Sequence, residues 1–435
     1  MTDIELFGLL LLVLFALLGS GVWIGLALLG VAVVAMVFFT TRPSGDAMAT
    51  TIWGASSSWT LTALPLFIWM GEILFRTKLS EDMFKGLAPW MTRLPGRLLH
   101  TNVVGCAIFA AISGSSAATC ATIGKITLPE LKSRGYPEDI SVGTLAGSGT
   151  LGLLIPPSII MIVYGVAAEV SIAKLFIAGV IPGIMLALLF SGYVVVWALF
   201  NKGKIPEEKH HYTFLERIHA SRNLIPAVIL IGIVLGSIYT GLATATESAA
   251  LGVVGALALS AVQGSLKREN FVTALLGATR LSCMIALILA GAQFLTLAMG
   301  FTGLPRHVAE WIDGMHLSPY MLIFALTLFY IVLGCFLDGI SMVVLTMAVL
   351  LPTVQKAGLD PLWFGIFIVL VVEMAQITPP VGFNLFVLQG MTGRQITWIA
   401  WHTMPLFFLM CVAVALVTVF PQIVSFLPDQ MMVRH

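Results

Sequence analysis

The sequence predicts an all-α integral membrane protein assembled from two copies of one helical unit, the second inverted relative to the first. Three observations predict it. Hydrophobic residues make up 59% of the 435 and charged residues 10%, with a mean hydropathy of +1.01; ordinary soluble domains carry roughly 25% charged residues. Two apolar arms, 98–113 and 116–129, flank the small-residue turn Ser113-Gly114-Ser115-Ser116 and hold 16 and 14 residues, too few to cross lipid. The prolines also repeat, because adding 223 to Pro129, Pro156, Pro157 and Pro182 gives Pro352, Pro379, Pro380 and Pro405.

This composition makes the lipid bilayer the solvent. A formal charge of +1 with no long basic run gives nucleic acid nothing to bind. Cys106, Cys120, Cys283, Cys335 and Cys411 all fall inside apolar segments without CxxC or zinc-type spacing, and are expected as buried small hydrophobes. The apolar start does not read as a secretion signal, which needs a basic opening, since Asp3 and Glu5 precede any Lys or Arg. From Leu6 onward the chain is expected to be mature and membrane-embedded.

In order, the first copy (1–200) opens with 5–18 and 22–39, a tight helical pair joined at Gly19-Ser20-Gly21. Segment 46–75 has a polar turn at Ser56, Ser57 and Ser58, then an apolar run ending at Glu72 and Arg76. Over 77–97, Met83, Leu87, Trp90, Met91 and Leu94 share one helical face while Lys85 and Arg93 lie off it, the pattern of a helix lying along the membrane surface. The next two arms reach about 21 to 24 Å at 1.5 Å per residue, short of a hydrocarbon core of about 30 Å. A re-entrant hairpin over 98–129 is the simplest solution. A crossing over 140–169 follows, broken at Pro156-Pro157, and then another over 172–200.

Loop 201–222 carries Lys202, Lys204, Lys209, Arg217 and Arg222, so the positive-inside rule makes it cytoplasmic. The second copy (223–435) repeats the order. Two apolar segments over 223–265 and another over 271–301 precede an amphipathic stretch over 302–316. Then come a re-entrant hairpin over 320–352 interrupted at Asp338-Gly339, a broken crossing over 361–389 with Thr378-Pro379-Pro380, and a last crossing over 398–420.

Chance does not account for the offset, since the chain has only 20 prolines and Gly135 also lands on Gly358. The surface helices agree at a shift of 221, pairing Met83, Leu87, Trp90, Met91 and Leu94 with Leu304, Val308, Trp311, Ile312 and Met315. Gly19 and Gly30 match Gly241 and Gly252 at 222. Such self-similarity marks a duplicated unit. Each copy makes three crossings, a broken one and a final one, an odd number, so the second copy is inverted. Arg76, Lys78, Lys85, Arg93, Arg97, Lys132 and Arg134 put the base of the first hairpin inside, whereas the second-copy regions hold only Arg306 and Lys356. Inverted repeats with discontinuous helices are the architecture of secondary transporters, with substrate and coupling-ion sites near the midplane where the breaks meet.

The sequence SGSSAAT at 113–119 could serve close helix packing. Here it falls where two half-length helices turn, and hydroxyls with freed carbonyls suit a small hard cation while a helix N-terminus suits a carboxylate. GSGTLG at 147–152 spells GxGxxG, with Glu169 about where a ribose-binding acid would stand. A dinucleotide site needs a βαβ unit, and this run lies inside an apolar segment ahead of a double proline, so open backbone at a broken helix explains the glycines better. Asp338 and Glu373 stand opposite Ser115 and Thr150 by the 223 shift. A carboxylate at mid-membrane costs about 2.5 to 3.5 kcal/mol on insertion scales, so each needs a partner or a task, with capping and ion pairing the plain alternatives. Glu72, Glu247 and Arg280 are expected to pair with neighbours or face a partner subunit. No GxSxG, HExxH or P-loop pattern occurs and no histidine falls near either tip, so an enzyme is not expected.

Together these motifs resemble the large membrane (DctM-like) subunit of tripartite ATP-independent periplasmic (TRAP) transporters, over essentially the whole chain. The carriers are SGSSAAT with IG and a following LPE at 113–130, GTLGLLIPPS at 149–158, GCFLD at 334–338 and EMAQITPPVGFNLFV at 373–387. The resemblance implies a sodium-driven (Na+) elevator-type importer in the bacterial inner membrane. It implies two partners, a small four-helix membrane subunit and a soluble periplasmic binding protein that delivers an organic acid such as a C4-dicarboxylate or sialic acid. The family's sodium sites lie between each hairpin tip and the facing broken helix, which implies Ser113 and Gly114 with Gly149 and Thr150, and Asp338 and Gly339 with Thr378 and Pro379. Substrate would sit between the tips, near Ser115, Ser116 and Thr119. Where other members often have ELGLITPPVG, this chain reads EMAQITPPVG and so places Gln376 beside the second break. At 435 residues the chain leaves no room for a fused small subunit, which is expected as a separate polypeptide. A stand-alone sodium/dicarboxylate symporter is the alternative, and an intramembrane enzyme the remote one.

Overall fold

The computed structural model describes residues 3–207, 212–315, 318–380 and 382–432. Lys209, His316 and Val381 lie outside them, as do the side chains of Trp311 and Ile312. The described elements are helical, as lipid requires of a chain that must satisfy its own backbone donors and acceptors. The first copy runs α1 (Asp3–Gly19), α2 (Ile24–Phe39), α3 (Ser44–Ser56), α4 (Ala63–Leu74) and the amphipathic α5 (Leu79–Met91). It continues with a hairpin, α6 (His100–Ser113) and α7 (Ser116–Ser133), a broken span, α8 (Glu138–Gly149), α9 (Leu151–Leu154) and α10 (Ile159–Ala167), and α11 (Ile172–Phe200). A short helix α12 (Phe214–Ser221) occupies the polar loop.

The same order then recurs as α13 (Ile225–Tyr239), α14 (Ala245–Val262), α15 (Arg268–Thr302), α16 (Leu304–Gly314), the hairpin α17 (Pro319–Leu333) and α18 (Gly339–Lys356), the broken span α19 (Pro361–Gln376) and α20 (Phe383–Thr392), and α21 (Ile396–Val419). A terminal α22 (Gln422–Met432) packs back on α11. Among the described residues, six helical stretches are long and apolar enough to cross a membrane, or seven if the span bent by 41° between Leu154 and Ile159 counts as one.

Four local expectations are revised. Helix α7 runs through Pro129 to Ser133 rather than stopping there, and its 18 residues make it the longer arm of its hairpin. The amphipathic face expected over 77–97 is divided, with Met83 and Leu87 buried while Trp90 and Leu94, the latter beyond the end of α5, are exposed. Trp90 Nε1 donates to Ser221 Oγ at 2.9 Å, so the helix pins the polar loop as well as covering apolar surface. Arg217, read as a loop charge, is buried, and Cys283 is exposed on α15 while Cys106 and Cys120 are buried. The copies also differ at the serine turn, which splits α3 from α4, whereas the corresponding α15 is one helix of 35 residues.

Neighbouring residues give the relative direction of the copies. Helix α11 runs antiparallel to the broken span beside it, since Leu175 lies by Gly165, Ile155 by Gly183 and Tyr193 by Asp139. Helix α21, the second-copy counterpart of α11, instead runs parallel to α8, with Arg394 at Glu138, His402 at Gly143, Leu406 at Gly147 and Met410 at Thr150. Helices α11 and α21 therefore point opposite ways, as an inverted pair must.

Two layers result. Helices α2, α3 and α4 interlock with α14 and α15, and a Cβ on Gly291 would lie 2.5 Å from the Gly25 carbonyl oxygen, so glycine is what lets α2 and α15 touch. The hairpins and broken spans form the second layer, in which α6 to α11 pack against α18 to α21.

Candidate substrate and ion site

The first hairpin turns because α6 ends at Gly114 in the left-handed region, φ +62°, and Ser115 in extended conformation begins α7. Ser115 Oγ caps the new helix by accepting from the Ala118 amide at 3.4 Å. Ser113 Oγ and Thr119 Oγ1 share a hydrogen bond at 2.6 Å across the turn. The tip is seated on the break in the neighbouring span, for the Ile159 amide donates to the Gly114 carbonyl at 3.3 Å. A Cβ on Gly114 would come within 2.9 Å of the Pro157 carbonyl oxygen, and one on Gly152 within 2.6 Å of the Ser115 carbonyl oxygen. Both glycines are required by close backbone approach. A Cβ on Gly71 of α4 would lie 3.0 Å from the Ser113 carbonyl oxygen.

One contact to this tip comes from the other copy. The Ser116 hydroxyl donates to Glu373 Oε1, and the Leu153 backbone N–H lies beside the same carboxylate. Glu373 is fully buried and its Oε2 has no hydrogen-bond partner among the described residues.

The second tip is made differently. Asp338 begins α18, and its Oδ2 accepts from the Ile340 and Ser341 amides at 3.1 and 3.3 Å while Oδ1 accepts from the Ser341 hydroxyl. Its carboxylate is thus spent on its own helix N-terminus, the capping role weighed above. Gly339 sits against Val372 and Ile160, with Gln376 Nε2 3.2 Å from where a Cβ would stand. Cys335 Sγ reaches the Pro379 carbonyl at 3.4 Å, tying this tip to the second break. The Tyr330 hydroxyl bonds Thr346 Oγ1 across the hairpin.

The structure therefore brings Ser113, Gly114, Ser115, Ser116 and Thr119 together at one tip. It brings Asp338 and Gly339 to the other, with Pro379 approached through Cys335. It does not turn the two threonine hydroxyls toward the tips, since Thr150 Oγ1 donates to the Gly147 carbonyl and Thr378 Oγ1 to the Met374 carbonyl, each in its own helix. Gly149 faces Cys120 and Asn384, and Gly152 is the glycine that meets the tip. Sequence reasoning missed Asn384 and Ser148. Asn384 Nδ2 donates to the Ala146 carbonyl at 3.3 Å, while its Oδ1 and Ser148 Oγ are buried without partners. The signal for Asn384 was its place in GFNLFV just after the second break. Glu72 pairs with Arg76 at 2.5 Å and Glu247 caps α14 in a capping box with Thr244, so both serve local structure. A cavity of about 410 Å³ opens elsewhere, by Arg306, Glu310, Pro352 and Lys356 at the far end of α18.

Two hairpin tips seated on two breaks, in copies that run opposite ways, define a membrane permease of the inverted-repeat class. The chain belongs to the tripartite ATP-independent periplasmic transporter family, DctM component, whose model matches residues 11–423. It is 32% identical over 444 residues to the C4-dicarboxylate TRAP transporter large permease protein of Rhodobacter capsulatus, covering 99% of each chain. It is 31% identical over 416 residues to the isethionate TRAP transporter permease protein of Oleidesulfovibrio alaskensis, covering 95% of this chain and 64% of that longer one. Its fold is similar to that of the YdaH transporter of Alcanivorax borkumensis, with a TM-score of 0.63 at 13% identity over 91% of this chain and 96% of that one. It is a multi-pass membrane protein of a permease family, not an enzyme.

Proposed function

We propose that this chain is the large permease subunit of a sodium-coupled importer of an organic acid in a bacterial inner membrane. The observation that carries the reading is the junction at the first tip, where Ser116 of one copy bonds Glu373 of the other in the buried interior. Sites in inverted-repeat transporters form where half-helices of the two copies meet. The acid is proposed beside Ser115, Ser116 and Thr119, where the start of α7 offers free amides to an anion. Sodium, a cotransported substrate, is proposed at Ser113 and Gly114 with Gly149 and Thr150, and at Asp338 and Gly339 with Thr378 and Pro379. The unpartnered oxygens of Ser148 and Asn384 near Gly149 support the first of these, because a hard cation takes oxygen ligands.

In this reading the layer of hairpins and broken spans moves as an elevator past the layer of α2, α3, α4, α14 and α15. A periplasmic binding protein delivers the acid, and a small four-helix membrane subunit works beside this chain. Each net charge moved inward gains about 2.3 kcal/mol per 100 mV, so two or more sodium ions outweigh the charge of a monocarboxylate. The test is uptake into vesicles holding the chain, its small subunit and the cognate binding protein. Uptake that proceeds without the binding protein selects the stand-alone symporter instead, and uptake indifferent to sodium removes the coupling.

A further inference from the structure

Glu373 is the carboxylate that the proposed sites leave unused. It lies five residues ahead of Thr378 on α19, fully buried, with Oε1 held by Ser116 and Oε2 bonded to no described residue. Among the described residues, the elements packed against α19 bring no positive partner to it. Their titratable groups are Tyr164 on α10, Lys174 and Tyr193 on α11, Tyr320 and Tyr330 on α17, Cys335 and Asp338 at the second tip, Lys356 on α18, His402 and Cys411 on α21, and Asp429 on α22; α9 and α20 carry none. The first hairpin adds Cys120, Lys125, Glu130 and Lys132 on α7. None of these hydrogen-bonds or pairs with Glu373, whose neighbours are Ser116 and the Leu153 amide. A buried charge without a counter-charge is among the costliest arrangements a fold can hold.

We propose that Glu373 is a cation site of its own, in which a monovalent cation, a proton or a sodium ion, occupies Oε2 beneath the closed first tip. The geometry ties occupancy to movement. Ser116 begins α7, so any opening of the tip away from Gly152 breaks the Ser116–Glu373 bond, and the bare carboxylate then has neither hydroxyl nor cation. Loading the cation thus favours the closed tip, and its release accompanies opening. The role in coupling rests on the transport reading, but the existence of the site does not.

The test is infrared difference spectroscopy of the full-length chain in lipid nanodiscs, which reads carboxyl protonation and ligation without any transport. pH is varied at fixed sodium in one arm, and sodium against choline at fixed pH in the other. A carboxyl difference signal in either arm that Glu373→Gln abolishes and Asp338→Asn retains supports the proposal; the pH arm identifies a proton and the sodium arm a sodium ion. Wild-type and Glu373→Gln spectra that coincide in both arms overturn it. Because these spectra need neither substrate nor binding protein, failed uptake in vesicles would sink the transport reading and leave this result standing.

Discussion

The two hairpin tips occupy equivalent places in the two copies and are held by opposite means. The first is a run of small hydroxyl residues pressed backbone to backbone onto its break through Gly114 and Gly152, with its one carboxylate contact borrowed from α19 of the other copy. The second carries its own carboxylate, Asp338, turned back on its own helix, and meets its surroundings through the side chains of Val372, Ile160, Gln376 and Cys335. Backbone cannot yield where side chains can. The first tip is therefore the rigid seat of the pair and the second the adaptable one.

A methyl group should expose that difference most strongly. In Gly152→Ala the new Cβ meets the carbonyl of Ser115 at 2.6 Å, an atom fixed by the turn, and displacing reacting or binding groups by about 1 Å can cost about 100-fold. Uptake in vesicles should fall by that order while the protein still purifies as a single species. Gly339→Ala meets Val372 Cγ1 at 2.5 Å, a side-chain atom, and overpacking of this kind costs about 1 to 3 kcal/mol, so part of the uptake should survive. Equal losses in the two variants would remove the distinction between a rigid and an adaptable tip. Asn384→Ala comes next, because it deletes an unpartnered buried oxygen beside Gly149. The sodium concentration for half-maximal uptake should rise about tenfold, and an unchanged value would exclude Asn384 from the ion site.

Ser115→Ala and Asp338→Asn test the two caps. Losing the Ser115 hydroxyl costs about 1 kcal/mol of cap stability, a factor of about five in a two-state equilibrium. Asn at 338 keeps an acceptor for the Ile340 and Ser341 amides but removes the charge. Both should lower uptake and leave expression intact, with only Asp338→Asn altering the sodium dependence. Normal uptake by both variants would retire the assignment of these tips.

What the sequence made legible was whatever the backbone dictates. Half-length arms, double prolines and a fixed offset locate both hairpins and both breaks to within a few residues, because lipid tolerates an interrupted helix only where protein covers it. Side-chain direction was not legible. Thr150 and Thr378 stand beside the breaks in the chain, yet each bonds a carbonyl of its own helix, as threonine in a helix commonly does. The Ser116–Glu373 bond joins residues 257 apart, and the 223 offset pairs each with some other position, so no internal symmetry could have announced it. Pro129 misled for a simpler reason. Proline tends to end a helix by sterics at the preceding turn, but α7 carries Pro129 inside it on an exposed face and runs on to Ser133.

The smallest effects should lie at the two outer ends of the cross-copy packing, where the asymmetry of the tips reappears. At one end α10 and α19 are joined by the Tyr164 hydroxyl donating to the Pro361 carbonyl at 2.6 Å, with Tyr164 fully buried. At the other, α8 and α21 are joined by Arg394 and Glu138 at 2.6 Å, with side chains 50% and 38% exposed. Tyr164→Phe removes one neutral hydrogen bond to a half-buried carbonyl, a net loss of about 0.5 to 1.5 kcal/mol, which thermal unfolding in nanodiscs should read at any ionic strength. Arg394→Ala removes a pair that water already screens, so its effect should be the smaller of the two, together with the guanidinium resting 5.0 Å from the centre of the Trp398 ring. Its effect should shrink further in concentrated salt, because exposed charges lose their attraction over a Debye length of about 3 Å at 1 M. An Arg394→Ala loss as large as that of Tyr164→Phe and indifferent to salt would mean that this end is sealed from water like the other, and the two ends would then be alike after all.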